Sequence, residues 1–191
     1  MERARPRREL TVGPRNETVG RIVAKAWSDP AFAARLLADG GAALGELDIA
    51  LPAGKTVTAV RNTGTVTHIV LPSPRYTETA SAYADIKAFG ESYRDPRFAP
   101  LDWISRDPVF QARFEADPAA ALRRWGIRVS DGMTVSTVGN TLSKAWLVLP
   151  APPDADEMTG DLLDAVAAGW IPPAIRYAGI EGPVRLDRFA R

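Results

Sequence analysis

Two stretches decide the reading: Ser28–Pro72, SDPAFAARLLADGGAALGELDIALPAGKTVTAVRNTGTVTHIVLP, and Arg106–Pro150, RDPVFQARFEADPAAALRRWGIRVSDGMTVSTVGNTLSKAWLVLP. Laid on each other without a gap, at an offset of 78 residues, they share 20 identities in 45 positions. The shared residues include Asp29/Asp107, Phe32/Phe110, Leu44/Leu122, Gly54/Gly132, Asn62/Asn140 and Pro72/Pro150. Such density without an insertion marks a tandem duplication. Each copy carries the same physical grammar. Ser28-Asp29-Pro30 supplies an N-cap and a first-turn proline whose missing N–H costs nothing. Phe32, Leu36, Leu37, Ala43, Leu44 and Leu47 then recur at helical spacing, as do Phe110, Phe114, Leu122 and Trp125. Gly40-Gly41 and Asp117-Pro118 interrupt each run at the same place, which predicts two short helices per copy. Past a glycine turn, Thr56–Val60 and Thr134–Val138 are β-branched and alternate with period two, and Val66–Leu71 and Lys144–Leu149 follow as second strands. The expected architecture is α+β, with duplicated helix–helix–strand–strand units forming a layered αββα arrangement.

Working outward, residues 17–27 predict an amphipathic helix entering the first copy, through Val19, Ile22, Val23, Ala26 and Trp27. Residues 1–16 read as a flexible Arg-rich arm, with Arg3, Arg5, Arg7 and Arg8 solvated. Residues 73–100 form a long connector, with a short helix expected at Ala82–Phe89; a loop of this length inside a domain is usually functional or an interaction segment. After residue 150 comes a Pro-rich turn. There Asp154, Asp156 and Glu157 read as solvated or capping carboxylates, and Thr159 as the N-cap of a helix over Asp161–Ala168. Residues 151–191 thus make a helix and a tail.

Composition excludes much. The 191 residues include no cysteine and one histidine, His68, against 24 basic and 23 acidic side chains. Disulfide scaffolds, thiolate metal sites, Cys nucleophiles and sites needing two His ligands are therefore ruled out. The net charge of +1 gives no global attraction to nucleic acid. No membrane-spanning run and no signal-peptide apolar region is present, so the chain reads as cytoplasmic. Gly90 and Gly139 stand alone, outside any phosphate-binding pattern.

The stretches RIVAKAWSDPAFAARLLAD (residues 21–39), VRNTGTVTHIVLP (residues 60–72) and APLDWISRDPVFQARFEADPAAALRRWGI (residues 99–127) resemble the α subunit of nitrile hydratase. The related subunit of thiocyanate hydrolase belongs to the same family. The likeness runs over roughly residues 17–175 and implies that residues 17–150 form an α-like domain. It also implies a β-like subunit as partner and a heteromeric assembly. In that family the strand after the Asn-Thr turn runs into a Cys-Thr-Leu-Cys-Ser-Cys loop, whose thiolates and backbone amides hold iron or cobalt. Soft thiolates make those ions tolerate deprotonated amide ligands.

In the register set by Asn62-Thr63, the three cysteine positions fall on Pro72, Arg75 and Thr77. Neither the Pro72 nor the Arg75 side chain offers a lone pair to a cation. The resemblance therefore implies a protein without the metal and without a bound cofactor. It would act as a partner subunit, or as an enzyme that redeployed the old pocket. In the second case the catalytic candidates are Thr67, Ser73, Arg75, Tyr76 and Thr77. Arg75 reads first as an interface residue, because the family packs this loop against its β subunit. His68, between Thr67 and Ile69 in a strand, reads as a structural histidine. Thr63, Thr65 and Thr67 read as the solvent face of that strand.

A different class of reading stays open. Leader segments of some ribosomally made, modified peptides resemble the same fold. Asp161–Gly169 is similar to the end of such a leader, which would make Trp170–Arg191 the core peptide. That segment contains no Cys, Ser or Thr to modify.

Overall fold

The computed structural model describes residues 14–71, 108–124, 126–169 and 179–181. Residues 1–13 of the Arg-rich arm, the 73–100 connector with Ala82–Phe89, Trp103 and Trp170 lie outside the described residues; residues 14–16, expected in the arm, instead open the first helix.

Helix α1 spans Pro14–Ser28. Asp29 stops it and starts the next: its side chain accepts the Phe32 N–H at 2.9 Å, and α2 runs Pro30–Ala38. Asp39 repeats the device by accepting the Ala42 N–H at 3.0 Å, and α3 runs Gly40–Gly45. In the second copy α4 covers Pro108–Ala116 and α5 covers Pro118–Arg124, with Asp117 accepting the Ala120 N–H at 2.9 Å. The interruption predicted at Gly40-Gly41 and Asp117-Pro118 is thus a capped break between two helices in each copy. Thr159 accepts the Leu162 N–H at 3.2 Å and begins α6, Gly160–Ala167.

The long strands are β1 (Thr56–Arg61), β2 (Val66–Leu71), β4 (Thr134–Gly139) and β5 (Lys144–Leu149), close to the predicted limits. Two short strands, β3 (Arg128–Val129) and β6 (Ile180–Glu181), join antiparallel. The long strands pair across the copies and in parallel. β1 lies beside β5 with Thr56 opposite Lys144, and β2 lies beside β4 with Val66 opposite Thr134. The two registers are the same pairing exchanged through the 78-residue offset. Hydrogen bonds come in matching pairs as well. Asn62 N–H donates to Leu149 O at 2.8 Å and Asn140 N–H to Leu71 O at 2.9 Å. Thr63 Oγ1 accepts the Val66 N–H and Thr141 Oγ1 the Lys144 N–H, both at 3.0 Å.

Two apolar clusters result. One joins α1, α2, α3, β1, the end of β5 and α6, centred on Val23, Phe32, Leu36, Leu149 and Val166. The other joins β2, α4, α5, β3, β4 and β6, centred on Ile69, Leu71, Phe114, Leu122, Ile127 and Ile180. Burying each large side chain contributes about 1.5–3 kcal/mol, so the helices are held by these faces more than by their own propensity. Gly20 lets α1 sit directly on α6: a Cβ there would come within 2.8 Å of Gly169 N and closer still to Val166 O. Gly40 likewise admits the start of α3 against Val57 O of β1.

One expectation needs correction. Thr63 and Thr65 are exposed, but Thr67 is 1% exposed and alternates with half-buried Val66 and His68. The core face of β2 is Thr67, Ile69 and Leu71. A polar–apolar alternation identifies two faces but not which one is covered, and here the threonine side is the buried one.

Candidate functional site

The sequence directs attention to the end of β2 and the segment beyond it. Ser73, Arg75, Tyr76 and Thr77 lie outside the described residues, so the structure does not bring them together with Thr67. What it does define is the strand that leads there and the root of that strand, the Asn62–Thr63 turn with Thr67 and His68; at the far end of β2, Leu71 O accepts the Asn140 N–H at 2.9 Å.

Asn62 organises this root. Its Oδ1 accepts the His68 backbone N–H at 2.8 Å and lies 3.0 Å from His68 Nδ1. The backbone donor fixes which end of the amide is oxygen. With Oδ1 as the acceptor, the neutral imidazole carries its proton on Nδ1, and Nε2 is left with its lone pair. Burial pushes the imidazole pKa below the ordinary value of 6.5, so the ring is neutral at pH 7. At the matching position of the second copy, Asn140 Oδ1 accepts the Trp146 N–H at 2.7 Å. Lys144 Nζ stands 4.0 Å from the Trp146 ring, a cation–π contact where the first copy has Val66 and His68. The histidine is therefore tied into the turn by the same backbone bond that the tryptophan uses.

Two polar atoms at this root find no partner among the described residues: Asn62 Nδ2 and Thr67 Oγ1, on side chains that are each 1% exposed. Sequence reasoning singled out Thr67 by register and missed Asn62. The repeated Asn-Thr pair at 62–63 and 140–141 was the available signal. A cleft opens where β1 and β5 end, lined by Ala26, Trp27, Pro30, Arg61, Leu149, Pro150 and Pro152, with Trp27 Nε1 donating to Pro150 O at 3.1 Å. It belongs to the β1–β5 end, not to the segment after β2.

Among the described residues no group of three or more His, Cys, Asp or Glu stands where it could hold a metal ion. No helix among them is long and apolar enough to cross a membrane. Chemically, the root offers one neutral base at His68 Nε2 and a buried hydroxyl and amide. It offers no activated nucleophile.

A mixed helix-and-strand fold with parallel strand pairs, in which β2 and β5 each follow an Asn-Thr turn, defines the class. The family model described as nitrile hydratase, alpha chain, matches residues 2–169, and the chain belongs to that family. It is 27% identical over 150 residues to the low-molecular-weight cobalt-containing nitrile hydratase subunit alpha of Rhodococcus rhodochrous, covering 78% of this chain and 64% of that one. It is 29% identical over 147 residues to the cobalt-containing nitrile hydratase subunit alpha of Pseudonocardia thermophila, covering 76% of this chain and 63% of that one. The chain thus spans a little under two thirds of the length of these relatives. Among solved structures, a double mutant of the Fe-type nitrile hydratase from Comamonas testosteroni Ni1 matches with a TM-score of 0.54 at 20% identity, over 80% of this chain and 66% of that one. A recombinant thiocyanate hydrolase with partially modified cobalt centers matches with a TM-score of 0.51 at 19% identity, over 88% of this chain and 79% of that one. These last likenesses establish the fold.

The family implies iron or cobalt held by thiolates. This chain has no cysteine anywhere in its sequence, and the root of β2 presents a neutral amide, a hydroxyl and one imidazole. That donor set does not fit a centre that depends on soft, strongly donating sulfur.

Proposed function

We propose that this chain is a cysteine-less α-like subunit that keeps the family fold and its partner surface without the thiolate metal centre. Its partner is a β-like subunit, and residues 17–150 are the α-like domain that meets it. The observation that carries this reading is the joint one: a family match over residues 2–169 in a chain with no cysteine. Paired hydrogen bonds and exchanged strand registers at the 78-residue offset support a fold built from one helix–helix–strand–strand unit written twice, in layers. Thr67, Ser73, Arg75, Tyr76 and Thr77 are the candidates to inspect if the old pocket has been redeployed, and Arg75 is proposed to face the partner. Co-expression with a β-like chain tests the subunit reading. A stoichiometric complex on size-exclusion chromatography with light scattering is expected, and two separate species would sink it.

One observation favours a second reading. The family match ends at Gly169, the residue where the leader of a modified-peptide precursor would stop. Gly169 is buried, and Gly179 O accepts the Ser130 N–H at 2.9 Å where β6 joins β3, so processing would have to pull α6 off α1 and break that strand pair. The intact mass of the chain recovered from its producing cell decides between them: full length supports the subunit, truncation near Gly169 the precursor.

A further inference from the structure

The two copies differ at a surface ion pair that the first copy makes and the second cannot. In the first copy Arg35, on α2, meets Glu46, which caps the end of α3. Arg35 Nε and Nη2 donate to the two Glu46 oxygens at 2.8 Å each. The guanidinium holds the Glu46 carboxyl below its usual pKa, and the carboxylate raises that of Arg35. This is the planar, two-point grip that arginine makes on a carboxylate.

At the 78-residue offset Arg35 becomes Arg113, on α4, and Gly45-Glu46 becomes Arg123-Arg124, ending α5. The gripping arginine is kept while the carboxylate is replaced by a second cation. Arg113, Arg123 and Arg124 are all exposed, and no carboxylate among the described residues pairs with them. The nearby acids are engaged: Asp117 caps Ala120 N–H, and Glu115 accepts from Gln111 Nε2 at 2.8 Å. Positive charge in the last turn of α5 suits the helix dipole. That cannot be the whole reason, because α3 ends on a glutamate in the same setting.

We propose that the Arg113–Arg124 pair receives a carboxylate supplied by another protein chain, an Asp or Glu side chain in an acidic surface segment of the partner. The first copy provides the template for the ligand. Arg113 occupies the repeat position of Arg35, whose guanidinium donates twice to a planar carboxylate, and Arg124 adds the charge that draws one in from outside. The choice of a protein carboxylate over a free anion rests on the subunit reading above. The cationic pair itself does not.

The test uses the full-length chain and three proteins: wild type, R124E and R113K. R124E rebuilds the bridge of the first copy, so Arg113 grips its own neighbour. A ten-residue peptide alternating Glu and Ala is titrated at low salt, with inorganic phosphate in parallel, and thermal melting is read for each protein. Wild type should bind the peptide more tightly than phosphate. R124E should weaken the peptide by about tenfold while melting about 1–3 °C higher, because a repelling pair becomes an attracting one. R113K should also weaken the peptide although its charge is unchanged. Unchanged peptide binding in R124E, or phosphate bound as tightly as peptide, overturns the proposal. Formation of the complex with the β-like chain is measured separately. If R124E assembles as well as wild type the surface is wrong and the subunit reading stands, whereas failure of wild type to assemble sinks the subunit reading alone.

Discussion

Replacing Gly20 by alanine puts two opposing effects in direct competition. In an open helix the change favours folding by about 1 kcal/mol, because alanine loses less backbone entropy. Gly20, however, sits where α1 lies on the end of α6. The new Cβ would meet Val166 O, Gly169 N at 2.8 Å and Gly169 Cα at 2.9 Å. All three are backbone atoms, so no side chain can swing aside, and the helices must part by several tenths of an ångström at least. The parting loosens Val23 and Val166, each 0% exposed, in the first apolar cluster. Overpacking of this kind costs about 1–3 kcal/mol, occasionally more, and lost contacts around Val166 add to it. The steric cost wins, for a net loss of roughly 1–3 kcal/mol. For a chain of this length that corresponds to a fall in Tm of about 2–12 °C. Differential scanning calorimetry reads it directly. Gly45→Ala is the control: it is also helical, and its Cβ would meet nothing within 4 Å, so its Tm should hold or rise slightly. A G20A protein that melts at or above wild type would refute the packing of α1 on α6.

Three further outcomes are expected. Thr67→Val keeps the shape of a buried side chain and removes a hydroxyl that has no partner among the described residues, so stability should hold or rise by about 1 kcal/mol in urea unfolding; a clear loss would show that the hydroxyl is bonded. His68 has a folded pKa below its unfolded value of 6.5, so its contribution is fully present above pH 6.5 and falls away as the pH drops through the folded pKa. It is the only histidine in the chain, so urea midpoints from pH 8 to 5 should decline in wild type and decline less in His68→Gln; parallel curves would contradict the burial of the ring. Asn62→Ala removes the acceptor for the His68 backbone N–H and leaves that donor unpaired, and should destabilise by about 1–3 kcal/mol by the same urea measurement; a neutral result would mean the turn holds without it.

Helix and strand limits were legible in the sequence because short-range chemistry sets them. Asp29, Asp39, Asp117 and Thr159 cap the helices they precede, and β-branched runs mark the strands. Strand pairing was not legible. Nothing local to Thr56–Arg61 says that its neighbour is Lys144–Leu149 and not the adjacent Val66–Leu71. The facing of β2 was misread for the same reason: Thr67 looks like a surface residue until the rest of the fold is placed around it. The short strands β3 and β6 are two residues each, too brief for periodicity to reveal. At the candidate site, the absence of the family's thiolates was readable from composition alone. The role of Asn62 was not, because its work is done by one amide oxygen on a residue six positions away.

The central claim is a nitrile hydratase alpha-family fold that operates without a thiolate metal centre. The most direct measurement is the iron and cobalt content per chain, by inductively coupled plasma mass spectrometry. It is made on full-length protein produced in medium supplied with both metals and co-expressed with a β-like subunit. The account predicts far less than one metal ion per chain in a complex that still assembles. One iron or cobalt ion per chain would contradict it, and would mean that oxygen and nitrogen donors have taken over the work of the missing sulfurs.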